Sequence, residues 1–124
     1  MSDARRLVVI DAANVIGSRP DGWWKDRAGA ARRLIAELAG LAEAADVTVV
    51  LEGAAKGAAD ETVGSNLRVA LADGSGDDEI VDVVAASTGY ERITVVTSDR
   101  ELRARVATHG AESVGPSWLW DQIA

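Results

Sequence analysis

Short apolar runs alternate along the chain with segments whose apolar residues recur at helical spacing. Continuous apolar runs are typical of parallel strands that are covered on both faces. The alternation predicts an α/β fold in which a mostly parallel sheet carries helices on both faces. We expect five strands, at Leu7–Asp11, Val47–Leu51, Leu67–Leu71, Ile93–Thr97 and Glu112–Val114.

The longest helix is predicted over Asp26–Ala45, where apolar residues from Ala31 to Ala45 follow a helical period. A second helix is predicted to open at Ser98, because Ser98 and Glu101 fit the Ser-x-x-Glu capping box. Two further helices are predicted over Asp77–Ser87 and Pro116–Ile123, and loops over Val15–Lys25 and Ala54–Asn66.

Composition narrows the class of protein. A length of 124 residues suits one domain, 1–124, and the absence of cysteine excludes disulfide and thiol chemistry. No apolar run reaches the length of a membrane span, so we expect a cytoplasmic protein without membrane contact. Thirteen basic residues against 20 acidic ones give a net charge of −7, which disfavours a module that only binds nucleic acid.

Acidic residues fall at the junctions between predicted strands and the segments that follow them. Asp11 and Glu52 close or follow apolar strands, and Asp99 and the pair Asp77-Asp78 lie at predicted helix starts. In a parallel sheet these strand ends share one edge. Helix capping alone explains Asp78 and could explain Asp77 and Asp99, but it is not expected for Asp11 or Glu52. The pattern therefore favours a shared acidic site.

Periodicity separates the neighbours Asp77 and Asp78. Asp77 lies three, four and seven residues before Ile80, Val81 and Val84, so it shares the apolar face of the predicted helix. Asp78 lies on the shoulder of that face and is the second choice for the site.

Several carboxylates in one place repel each other unless a cation compensates them. Carboxylate oxygens suit Mg²⁺ or Mn²⁺, and such a site can activate water and stabilise a phosphoryl transition state. The only histidine, His109, precedes Gly110 at a predicted helix end and is interpreted as a capping or surface residue.

Three motifs in order resemble the NYN domain, a branch of the PIN-like metal-dependent ribonucleases. The motifs are Val-Ile-Asp11-x-x-Asn14-Val-Ile-Gly17, Asp77-Asp78-Glu79-Ile80 and Val-Thr97-Ser98-Asp99-Arg100-Glu101-Leu102. The resemblance covers nearly the whole chain. It departs from the family pattern at Ala12, where the family often has glycine.

The resemblance implies a three-layer PIN-like domain with strand order 3-2-1-4-5. Carried over by position, Asp11, Asp77 or Asp78, and Asp99 match the metal-binding acids of the family. Asn14 matches an asparagine that helps to hold the site, and Glu52 matches a position that is often acidic in relatives.

The predicted function is therefore a Mg²⁺- or Mn²⁺-dependent endoribonuclease that hydrolyses RNA in single-stranded or flexible regions. Arg27 and Arg100 are candidates to bind flanking phosphates, and Trp23 or Trp24 to stack on a base, although packing is expected for one of these tryptophans. The alternative is a PIN-like domain that binds RNA or a protein partner without cleavage, and the oligomeric state is open.

Overall fold

The computed structural model describes residues 5–19, 21–60 and 66–123. A five-stranded sheet of order β3-β2-β1-β4-β5 lies at its centre, and all four neighbouring pairs run parallel. The α/β class, the parallel sheet and the predicted strand order are confirmed. The strands are β1 (Arg6–Asp11), β2 (Asp46–Leu51), β3 (Leu67–Leu71), β4 (Arg92–Val96) and β5 (Glu112–Val114).

Helices cover both faces of this sheet, and short 3₁₀ segments join several of the elements. Within the described residues, no helix has the length and apolar character needed to cross a bilayer. The helices are α1 (Ala12–Gly17), α2 (Arg27–Glu37), α3 (Gly76–Ala86), α4 (Arg100–Ala107) and α5 (Pro116–Ile123), and the 3₁₀ segments are Trp23–Lys25, Leu41–Glu43 and Gly53–Asp60.

The predicted helix over Asp26–Ala45 is wrong in length, because α2 ends at Glu37 and the chain turns before the 3₁₀ segment Leu41–Glu43. Gly40 lies in that turn, and glycine is a poor helix former. The buried side chains nevertheless continue past the helix end, which explains why the apolar pattern suggests one long element. These buried residues are Leu38, Leu41, Ala42 and Ala45.

The two predicted loops also contain regular structure. The first begins inside α1, whose Val15 and Ile16 are buried. The second contains the 3₁₀ segment Gly53–Asp60, and its residues 61–65 lie outside the described residues. The first segment is interrupted by Gly17, Pro20 and Gly22, and the second is rich in alanine and glycine, so both lack the extended apolar period by which a longer helix is recognised.

Alternate residues of β1 supply the two halves of the core. Val8 and Ile10 pack with α1, α2 and α5, whereas Leu7 and Val9 pack with α3 and α4. This division follows from the two-residue period of a strand, whose successive side chains point to opposite faces. The three layers leave the carboxyl ends of β1, β2 and β4 at one edge, where the order of the sheet reverses between β1 and β4.

Candidate functional site

Asp11, the last residue of β1, is almost completely buried at this edge, with 6% of its surface exposed. Its Oδ2 accepts a hydrogen bond from Thr97 Oγ1 at 2.8 Å, and its Oδ1 accepts one from the backbone N–H of Asn14 at 3.3 Å. Burial raises the pKa of Asp11, and the charges of Asp77 and Glu52 raise it further, against the lowering effect of the two hydrogen bonds.

Helix capping involves Asp11 and Glu52 as well, contrary to the sequence-based expectation. Asp11 caps α1 because this helix begins immediately after β1. Glu52 Oε2 accepts a hydrogen bond at 2.9 Å from the N–H of Gly76, the first residue of α3. Both carboxylates therefore contact the positive end of a helix, which stabilises negative charge there.

Asp99 caps α4, whereas the capping-box pattern had suggested Ser98. Asp99 Oδ1 accepts hydrogen bonds from the backbone N–H groups of Glu101 and Leu102, at 2.9 and 3.1 Å. Ser98 is instead held by Asn14, whose Oδ1 accepts from the Ser98 N–H at 2.9 Å. The helix consequently begins at Arg100, one residue later than it would with Ser98 as its cap.

Asn14 and Ser98 form a two-point contact between α1 and the loop that follows β4. Besides accepting from the Ser98 backbone, Asn14 donates through Nδ2 to Ser98 Oγ at 2.9 Å. These residues are 84 positions apart in the sequence, so the contact arises only in the folded chain. It fixes the loop that carries Asp99 against the helix that follows Asp11.

Asp77 and Asp78 face different partners. Burial raises the pKa of Asp77, and the charges of Asp99 and Glu52 raise it further. The Asp78 side chain is 69% exposed and forms an ion pair with Arg105, with 2.9 Å between Asp78 Oδ1 and Arg105 Nη2. We call Asp11, Glu52, Asp77 and Asp99 the acidic group.

The acidic group supplies only oxygen donors, which fit Mg²⁺ or Mn²⁺ better than a soft metal. The caps leave oxygens unused, since Asp99 caps α4 through Oδ1 and Glu52 bonds Gly76 through Oε2. In the part of the chain that the structure describes, no three histidine or acidic side chains converge closely enough to hold a metal ion. The donor chemistry thus fits Mg²⁺ or Mn²⁺, whereas the described carboxylates do not converge on one point in this structure.

Trp23 and Arg27 lie together beside the acidic group, where they line a cavity of about 250 Å³ with Glu52. The Arg27 guanidinium carbon is 5.4 Å from the centre of the Trp23 ring. Trp23 is half-buried and packs against the core, whereas Trp24 is 56% exposed and meets Trp23 edge to face. One of the two tryptophans therefore packs, as expected.

Arg100, the remaining phosphate-binding candidate, directly follows Asp99, whereas two other arginines hold backbone carbonyl groups. Arg100 is exposed in the first turn of α4. Arg103 donates through Nε to the Thr97 carbonyl oxygen at 2.9 Å, and Arg32 donates to the Gly57 carbonyl oxygen at 3.0 Å. His109 is exposed in the turn after α4.

Thr97 and Gly76 contribute to the site although the sequence predicts no role for them, and Ser98, predicted only as a helix cap, contributes as the partner of Asn14. Thr97 is fully buried and also accepts from the N–H of Asp99 at 3.2 Å. A Cβ on Gly76 would lie 3.0 Å from the Glu52 carboxyl carbon, so glycine allows this close approach. The sequence signal that could have identified Thr97 and Ser98 is the position of their hydroxyl groups between an apolar strand and an acidic residue.

The fold and this acid-lined edge define a three-layer α/β protein with a parallel sheet and its candidate site at the switch point. No protein-family model matches the chain, and no curated protein matches it. The fold is similar to that of Rae1 (YacP) from Bacillus subtilis, with a TM-score of 0.78 and 21% identity over 94% of this chain and 72% of that chain. A single-substitution mutant of Rae1 gives a TM-score of 0.78 and 20% identity, over 95% and 74% of the two chains.

Proposed function

We propose that the chain is a PIN-like endoribonuclease that hydrolyses RNA phosphodiester bonds with Mg²⁺ or Mn²⁺. The observation that carries this proposal is the acidic group itself. Its carboxylates come from separate strand–helix junctions to one edge of the sheet, and burial together with neighbouring negative charges raises the pKa values of Asp11 and Asp77. A divalent cation would relieve this repulsion.

The fold supports the proposal from a second direction. The sheet order agrees with the order that the NYN resemblance implies, and the chain shares its fold with Rae1 (YacP). The three sequence motifs also meet at one edge, because the Asn14–Ser98 contact joins the first motif to the third. Charges couple the second motif to the third through Asp77 and Asp99.

In this proposal Asp11, Asp77 and Asp99 hold the cation, with Glu52 as a further oxygen donor and Asp78 as the alternative to Asp77. When bound, the cation supplies an activated water and offsets the charge that develops on the scissile phosphate.

Other residues of the proposed site orient the carboxylates or bind the RNA. Thr97 holds the carboxylate of Asp11, and Asn14 positions the loop that carries Asp99. Arg100 binds a phosphate that flanks the cut, to which a guanidinium can donate two parallel hydrogen bonds, and Arg27 binds the neighbouring nucleotide.

Cleavage of single-stranded and structured RNA should require Mg²⁺ or Mn²⁺ and stop with EDTA. The variants Asp11→Asn and Asp99→Asn should each lower the rate by at least about 100-fold, a loss typical of removing one electrostatic group from an active site. Asn still caps a helix well, so Asp99→Asn should remain folded. Asp82→Asn on the exposed side of α3 is the matched control and should cleave like the wild type.

Absence of cation-dependent cleavage by the wild type, or full activity in both variants, would remove the catalytic role.

The competing function is a domain that binds RNA or a protein partner without cleavage. The net charge of −7 favours a protein over bare RNA for that function, and the lack of a converged metal cluster in the described residues favours it as well. Melting with and without Mn²⁺ tests the metal site itself, since a bound cation raises stability by about 2.7 kcal/mol at 100 times its Kd. The cleavage assay separates the two functions.

A further inference from the structure

The cavity beside the acidic group is lined by one aromatic ring and two charged side chains. Trp23 and Arg27 form one side, and Glu52 belongs both to the cavity and to the acidic group. The rest of the lining is small or aliphatic, supplied by Ala13, Ile16, Gly53 and Ala55. A ligand in this cavity would therefore lie next to the acidic group.

This lining matches the chemistry of a nucleobase. Bases stack on tryptophan rings and on guanidinium planes, and the Arg27 guanidinium already lies near the Trp23 ring. The polar edge of a base needs donors and acceptors, which Arg27 and the Glu52 carboxylate provide. Glu52 Oε2 is engaged by Gly76, so Oε1 is the oxygen that remains for a base.

We propose that this cavity binds one unpaired nucleobase of a single-stranded RNA, with Trp23 as the ring on which the base stacks and Arg27 and Glu52 at its polar edge. This inference rests on the proposed function, because it assumes that the bound base belongs to the RNA whose phosphate lies at the acidic group. A base inside a duplex would first have to leave its stack, which costs a few kcal/mol. The cavity consequently selects single strands over duplexes.

Binding can be measured without metal or catalysis by following the indole N–H signals of the tryptophans in ¹⁵N NMR spectra with EDTA. The probes are the four nucleoside 5′-monophosphates and a short single-stranded RNA. The signal absent from Trp23→Phe identifies Trp23. We expect this signal to shift and saturate with at least one mononucleotide and with the single strand, and to respond far less to the matching duplex.

Trp23→Ala should weaken binding of the single strand by about 5- to 150-fold, the range that corresponds to loss of one stacked base. Trp23→Phe should recover part of the affinity because a phenyl ring also stacks. Trp118→Phe is the control, because it changes a tryptophan of α5 that packs against the core and is not part of the cavity lining; it should bind as the wild type does. If the Trp23 signal does not move with any probe, or Trp23→Ala binds as tightly as the wild type, the nucleobase site is wrong.

The two proposals fail separately. A protein that shows the Trp23 response but no cation-dependent cleavage has the base site without the nuclease function. A protein that cleaves RNA equally well with Trp23→Ala, at the same KM, has the nuclease function without the base site. If both hold, Trp23→Ala should raise KM by about 5- to 150-fold and change kcat little, because stacking contributes equally to the bound substrate and the transition state.

Discussion

Asp11 places a carboxylate in a position where an isolated charge would be costly. Thr97 and the backbone of Asn14 reduce this cost by donating to both carboxylate oxygens. Thr97 is itself completely buried, and its hydroxyl oxygen also accepts from the N–H of Asp99. A single hydroxyl thus connects two members of the acidic group, one at the end of β1 and one after β4.

Thr97→Val should lower the free energy of unfolding by about 1.5–3 kcal/mol, because it removes a hydrogen bond to a buried charged group without changing side-chain size. It should also raise the pKa of Asp11 further. Chemical denaturation measures the first effect, and carboxyl ¹³C NMR titration measures the second. Thr97→Ser keeps the hydroxyl and should cost only about 1 kcal/mol for the lost methyl group. Equal losses in the two variants would mean that the hydrogen bond contributes little.

At the scale of the element, α5 closes the face of the sheet that α1 and α2 cover. Leu119 is fully buried in this half of the core. Trp120 donates through Nε1 to Ser18 Oγ at 3.0 Å. The Arg19 guanidinium carbon lies 3.4 Å from the centre of the Trp120 ring. These contacts attach the last helix to the segment that follows α1, so α5 supports the first strand–helix junction.

Leu119→Ala should destabilise the protein by about 2–5 kcal/mol, the range for truncating a buried leucine. The loss combines the burial free energy of the removed methyl and methylene groups with the cost of the cavity that they leave. Denaturant unfolding followed by circular dichroism provides the measurement. Asp121→Ala, at an exposed position of the same helix, is the control and should change stability by no more than about 0.5 kcal/mol. A loss below 1 kcal/mol for Leu119→Ala would show that α5 is not integral to the core.

At the scale of the whole molecule, the net charge of −7 adds to the repulsion within the acidic group. Burial and the charges of Asp99 and Glu52 raise the pKa of Asp77 in the folded protein above its ordinary value of 3.8. Protonated Asp77 therefore stabilises the folded state, because the folded protein holds this proton more tightly than the unfolded chain. This contribution to the free energy of unfolding is fully present below pH 3.8 and is lost as the pH rises through the pKa of Asp77 in the folded protein.

Asp77→Asn should therefore melt at a higher temperature than the wild type at neutral pH. The difference should shrink as pH falls, and it should vanish below 3.8, where aspartic acid is protonated in both states. Thermal melts across this pH range, with Asp82→Asn as the exposed control on the same helix, test the prediction. A variant that melts below the wild type at neutral pH would contradict the repulsion.

The sequence predicted the fold well because its main signals are local. Apolar runs identify parallel strands, and the predicted strand ends agree with the structure to within one residue. Helix ends were harder to predict than strand ends, since the buried residues Leu41, Ala42 and Ala45 continue the apolar pattern beyond the end of α2. The short α1 was missed because six residues offer too little periodicity to separate a helix from a loop.

By itself, the sequence determined the order of strands and acids along the chain, which follows from side-chain chemistry at each position. Only the tertiary structure decided which atoms meet: Thr97 with Asp11, Ser98 with Asn14, and Glu52 with the N–H of Gly76. It also directed Asp78 to Arg105 and placed Trp23 and Arg27 beside Glu52. These partners are distant in sequence, and their meeting depends on how the layers pack, which no local pattern encodes.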